Sequence, residues 1–198
     1  MLPKLNLVSA VAAVVLFFLP WLSIECNGRR MATQTGVQMI VGKATPTPQA
    51  ISEHIHIEGR DESVGHSYLA GLALLTTGIG AVVAFMALRT GRKDLSRFSG
   101  GLCSCAFACL LAQAALGFPA KKELLKGANP IPGAREIDVS LSDAGRALTQ
   151  EIAGRIQVTP LPWFYLELFL LAIPSAVFVN GLLDQVKARA TSEPCRPL

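Results

Sequence analysis

Four apolar runs dominate this chain of 198 residues: Leu5–Ile24, Tyr68–Leu88, Phe98–Phe118 and Phe164–Leu183. Each holds roughly 20 residues with almost no charge, the length a helix needs to cross the hydrocarbon of a bilayer. No water is available there to satisfy free amides and carbonyls, so helices are the economical way to bury so much backbone. The sequence predicts an all-α integral membrane protein: a four-helix transmembrane bundle, with residues 1–198 as a single membrane domain. An apolar fraction of 51% against 16% charged residues agrees with that class.

Charge placement sets the orientation. The link between the second and third runs, residues 89–97, carries four cations (Arg89, Arg92, Lys93, Arg97) against Asp94 alone. Lys4 precedes the first run, and Lys187, Arg189 and Arg196 come after the fourth. Positive loops stay in the cytoplasm, so both termini, the link 89–97 and the tail 184–198 are expected inside. The long loops 25–67 and 119–163 then face outward. The first run has no small-x-small cleavage site after it, and Glu25 before Cys26 excludes a lipoprotein signal, so an uncleaved first helix is expected. Short inner loops and an Ala/Gly-rich composition fit a bacterial inner membrane.

The outer loops read as a small extracytoplasmic β-sheet. Gly36–Gly42 reads as a glycine-bounded strand, Ala44–Pro48 as a Thr/Pro-rich turn, and Ile51–Glu58 as an alternating second strand. In the second loop Glu136–Leu141 alternates like a strand, Ser142 or Asp143 caps a short helix through Ala153, and Arg155–Thr159 leads extended into the last span. Only Cys26 lies on the outer side, so no intrachain disulfide joins these loops.

Several residues invite a functional reading. His54, His56 and Glu58 share one face of the expected strand, and imidazole with carboxylate suits zinc or copper; His66 is a nearby fourth donor. Leu19-Pro20-Trp21 closes the first run and Leu161-Pro162-Trp163 opens the fourth. The two tryptophans, with Tyr165 and Glu167, are expected at the outer membrane boundary, where indole rings anchor in lipid or dock a partner. Glu167 is the one acid inside a span, a functional hypothesis by default, and Gln113 and Asn180 are candidate interhelical hydrogen bonders. Gly101, Cys105, Cys109 and Ala112 form a small-residue row for close helix packing, with Gly71, Thr77, Gly78 and Gly80 as counterparts on the second span. Cys103, Cys105 and Cys109 make no Cys-x-x-Cys pair and read as packing residues, although Cys103 and Cys195 are candidates for acylation.

No phosphate-binding glycine loop, Walker sequence or nucleophile elbow occurs. The sequence points to no enzyme and no cofactor, and the basic link is too short to argue for nucleic-acid binding. In topology the layout resembles the tetraspan class that includes claudins, an outer β-sheet on a four-helix bundle. The claudin signature of Trp, then Gly-Leu-Trp, then paired outer cysteines is absent, so no residue roles carry over. The function expected is that of an accessory, scaffold or assembly subunit, held among membrane lipids and contacting other integral membrane proteins or copies of itself. A small oligomeric transporter or ion-conducting protein using Glu167 is the alternative, and an extracytoplasmic metal-binding protein using His54 and His56 is a third.

Overall fold

The computed structural model describes residues 2–48, 65–121 and 156–192. Its elements run α1 (Leu2–Leu16), β1 (Pro20–Cys26), β2 (Arg29–Thr35), α2 (Gly36–Val41), β3 (Thr45–Pro46), α3 (Tyr68–Thr90), α4 (Lys93–Leu116), β4 (Ile156–Pro160) and α5 (Pro162–Ser192). Three helical stretches are long and apolar enough to cross a membrane: Tyr68–Thr90, Lys93–Lys121 and Pro162–Lys187. The chain forms two compact units. A helical unit draws on Met1–Val15, Leu72–Leu111 and Leu166–Leu198, and a sheet-bearing unit on Leu16–Gly71 and Ala112–Tyr165.

The first apolar run differs from expectation. It does not continue as one helix to Ile24, because α1 stops at Leu16 and Pro20–Cys26 is a strand. Proline at position 20 has no amide to give a helix and disfavours helical geometry at Leu19. The carbonyls at the end of α1 are taken up instead by new donors. The Leu16 carbonyl accepts from the Leu19 amide at 3.0 Å and from the Trp21 indole N–H at 2.9 Å, and the Phe17 carbonyl accepts from the Val37 amide at 3.1 Å. Fifteen residues of helix rise about 22 Å, short of the roughly 30 Å of bilayer hydrocarbon.

In the helical unit small residues face inward and large apolar ones outward. On α3 the buried stripe is Ala73, Thr77, Gly80, Ala84 and Ala87, while Leu75, Ile79, Val82 and Phe85 are exposed. On α1 Ser9, Ala10 and Ala13 are buried, and Val8, Val11 and Val15 are exposed. A water-soluble bundle would bury its large side chains, since contiguous exposed apolar surface is rare there. The inverse arrangement suits helices solvated by lipid and packed through small side chains. It is the pattern of an integral membrane protein.

The packing seam of α4 runs through Ser99, Cys103, Ala106 and Leu110, at spacings of four, three and four. Ser99 Oγ donates to the Gly80 carbonyl at 2.9 Å, and a Cβ at Gly80 would stand 3.6 Å from Cys103 Sγ. That is ordinary van der Waals distance, so the α3–α4 seam has room for a Cβ at Gly80. The contact of α4 with α5 is tighter, because a Cβ added at Gly100 or Gly101 would meet Phe178 at 3.2 Å. At the start of α1, Asn6 Nδ2 donates to the Ser96 carbonyl at 3.1 Å.

The other unit is built around an antiparallel sheet ordered β3-β2-β1-β4. β1 and β2 form a hairpin closed by Asn27 and Gly28, both at positive φ (54° and 76°). Asn-Gly suits the two-residue turn whose twist matches that of paired strands. β4, from the second long loop, pairs with β1 from Leu22↔Pro160 to Cys26↔Ile156. β3 at the other edge holds Pro46, a residue tolerated only where no ladder amide is needed.

Gly36–Val41, expected as a strand, is the helix α2. Thr35 and Gln38 form a reciprocal capping box: the Gln38 amide donates to Thr35 Oγ1 at 3.1 Å, and the Thr35 amide donates to Gln38 Oε1 at 3.0 Å. Gly42 ends the helix in the left-handed region at φ 71°. These local signals outweigh the strand preference of Val37, Ile40 and Val41. The expected strands Ile51–Glu58 and Glu136–Leu141, and the short helix through Ala153, lie outside the described residues.

Candidate functional site: a buried aromatic cluster and an inward-facing glutamate

The two Leu-Pro-Trp tripeptides come together, and their tryptophans take different roles. The Leu161 amide donates to the Trp21 carbonyl at 2.6 Å, joining the lead-in of α5 to β1. Trp21 is 0% exposed. It occupies the extra position where the β1–β2 register shifts between Pro20↔Thr35 and Leu22↔Gln34, and such a bulge re-aims a side chain. Its ring lies 4.5 Å from Phe17 and 5.5 Å from Phe164, centroid to centroid, and Phe118 extends the cluster at 5.4 Å from Phe164. Gly36 is the floor of this cluster, because a Cβ there would be 2.7 Å from Phe17 and 2.8 Å from Trp21. Trp21, expected at a lipid or partner boundary, is therefore a core residue of the sheet-bearing unit. Its aromatic bulk and its bond to the Leu16 carbonyl keep it there.

Trp163 and Tyr165 stay outside, 42% and 57% exposed. Leu166 and Phe169 continue that exposed face along α5. Phe164, between the two exposed aromatics, turns inward to meet Trp21.

Glu167 is 0% exposed. It belongs to the buried stripe of α5 with Leu171, Pro174 and Ser175, at the three-four spacing of a helix seam. Neither carboxylate oxygen has a hydrogen-bond partner among the described residues. The side chain expected at the boundary beside Trp163 and Tyr165 is thus sealed from the surroundings.

Gln113 is buried and bonded at both ends: Oε1 accepts from the Ser67 hydroxyl, and Nε2 donates to the Gly117 carbonyl at 2.9 Å. It ties the end of α4 to the start of α3, where Ser67 Oγ also accepts from the Ala70 amide at 3.1 Å. Asn180 is exposed rather than set between helices. Of the small-residue row, Gly101 packs against Phe178, Cys105 is exposed and Cys109 is half-buried. Gly78 has open space where a Cβ would stand, and a Cβ at Gly80 would sit at ordinary contact distance from α4. The four described cysteines, Cys26, Cys103, Cys105 and Cys109, are free thiols, and Cys195 lies outside the described residues.

His54, His56 and Glu58 also lie outside the described residues. Among the described ones no group of three His, Cys, Asp or Glu side chains is placed to hold a metal ion. His66 Nδ1 sits 3.2 Å from the Ile40 carbonyl, bridging toward α2. Sequence reasoning did not single out Gln34, which is buried in β2 and donates from Nε2 to the Lys43 carbonyl at 2.9 Å. Neither the residues of β2 nor their burial alternate, so no local signal marked it. Comparison with known protein families, curated proteins and solved structures finds no match.

Proposed function

We propose that this chain is a non-catalytic membrane protein acting as an accessory, scaffold or assembly subunit of a larger membrane complex. The observation that carries the reading is the course of α5. From Val179 to Lys187 every residue is exposed. Val179, Leu182, Leu183 and Val186 repeat at helix-seam spacing along it. Toward the start of the same helix Trp163, Tyr165, Leu166 and Phe169 present a second exposed apolar face. Aromatic side chains are enriched where proteins dock.

The proposal includes α1 as a fourth crossing, and with it the tetraspan layout with both termini inside a bacterial inner membrane. α1 shares the inward-small, outward-large pattern of the longer helices, and Phe17–Leu19 extends it before the sheet begins. Purification of the tagged protein in mild detergent, followed by native mass spectrometry, tests the role. A stoichiometric complex with unrelated subunits is the expected result. A lone monomer or a homo-oligomer would contradict it.

A second reading, a small oligomeric transporter or ion-conducting protein, is favoured by the burial of Glu167 without a partner among the described residues. It predicts that Glu167→Gln abolishes flux in proteoliposomes while leaving expression intact.

A further inference from the structure

Helix α5 carries one fully buried acid, and no described residue supplies a counter-charge for it. Lys4, the cations of the link from Arg89 to Arg97, Asp94, Asp184 and Lys187 are all exposed, whereas Glu167 is completely buried. A buried charge is normally paired or bound to a cation, because low-dielectric surroundings penalise it when alone. In a membrane span such a residue marks a path or a binding site. The burial of Glu167 narrows the choice. A carboxylate facing lipid would await a partner's Arg or Lys, but this one is buried within the protein.

The same buried face continues through Leu171, Pro174 and Ser175. Ser175 Oγ donates to the Leu171 carbonyl at 2.6 Å, so Glu167 is the polar side chain of that face left without a partner among the described residues.

We propose that Glu167 is an intramembrane binding site for a small monovalent cation, a proton or sodium. The site deepens the second functional reading and stands apart from the docking role, since a complex could form whether or not Glu167 binds a cation.

The test is labelling of the full-length protein in phospholipid nanodiscs with a hydrophobic carbodiimide. The acid proton passes to a carbodiimide nitrogen and the carboxylate oxygen adds to the central carbon. The O-acylurea formed rearranges to a stable N-acylurea, adding the mass of the reagent. Peptide mass spectrometry locates the adduct in the unaltered chain, so the result does not depend on a variant folding, and Glu167→Gln serves as the control.

The expected result is an adduct at Glu167 that forms about tenfold more slowly per pH unit above its midpoint. If sodium is the occupant, sodium chloride at ten times its dissociation constant slows labelling about tenfold at fixed pH, and choline chloride does not. If the occupant is a proton alone, the pH dependence remains and sodium has no effect. Failure to label, or labelling indifferent to both pH and sodium, would overturn the proposal. Those results leave the native-complex experiment unaffected.

Discussion

Trp21 and Trp163 occupy matching places in two Leu-Pro-Trp tripeptides, yet one is sealed in the core and the other meets the surroundings. The difference lies in the element that each proline introduces. After Pro20 the chain enters a strand whose bulge turns Trp21 onto Phe17 and Phe164, and after Pro162 it enters a helix whose first turn leaves Trp163 outside. Trp21→Ala should cost about 3–5 kcal/mol, the usual range for emptying a large aromatic site. Trp163→Ala should cost far less, and reversible unfolding in mixed micelles would compare the two. Gly36→Val should be as damaging as Trp21→Ala, because its Cβ would fall inside contact distance of both rings. A Gly36→Val protein with wild-type stability would mean that the cluster is looser than described.

At the scale of elements, the contrast lies between residues that look alike in sequence. Gly100 and Gly101 face Phe178, while Gly78 faces open space and Cys105 is exposed. Gly101→Leu should therefore disrupt the packing of α4 on α5 and lower the midpoint of thermal unfolding in detergent. Gly78→Leu and Cys105→Leu should leave it nearly unchanged. Capping supplies a parallel test in the sheet-bearing unit, where Thr35→Val removes the side-chain acceptor of the Gln38 amide and should cost about 1 kcal/mol.

These elements also show what could be read in advance. The three long spans were legible because their apolar runs exceed what any soluble element needs. The facing of Glu167 was not, since α5 is apolar on every side around it and offers no polar stripe to fix its rotation. The end of α1 ahead of Pro20, the Asn27-Gly28 turn and the Thr35–Gln38 capping box were all written in the residues. Hydropathy and β-branched composition, summed over longer windows, masked them. The burial of Trp21 also draws on Phe164, more than a hundred residues away, and no local pattern carries that.

Across the whole molecule, one unit buries small side chains and exposes large ones to lipid, and the other is organised by an antiparallel sheet. With the proposed topology, the positive link 89–97 and the exposed loop after α2 should lie on opposite sides of the membrane. The proposed crossing of α1 adds that the N-terminus shares the side of the link. The most direct measurement is impermeant maleimide labelling of single cysteines placed before Met1, at Lys43 and at Arg92, in a background with the native cysteines replaced. In sealed right-side-out membranes the cysteine at position 43 should react, and the other two should react only once the membranes are inverted. An N-terminal cysteine that reacts from the same side as position 43 would contradict the four-span topology, leaving α1 on the outer surface and three crossings in place of four.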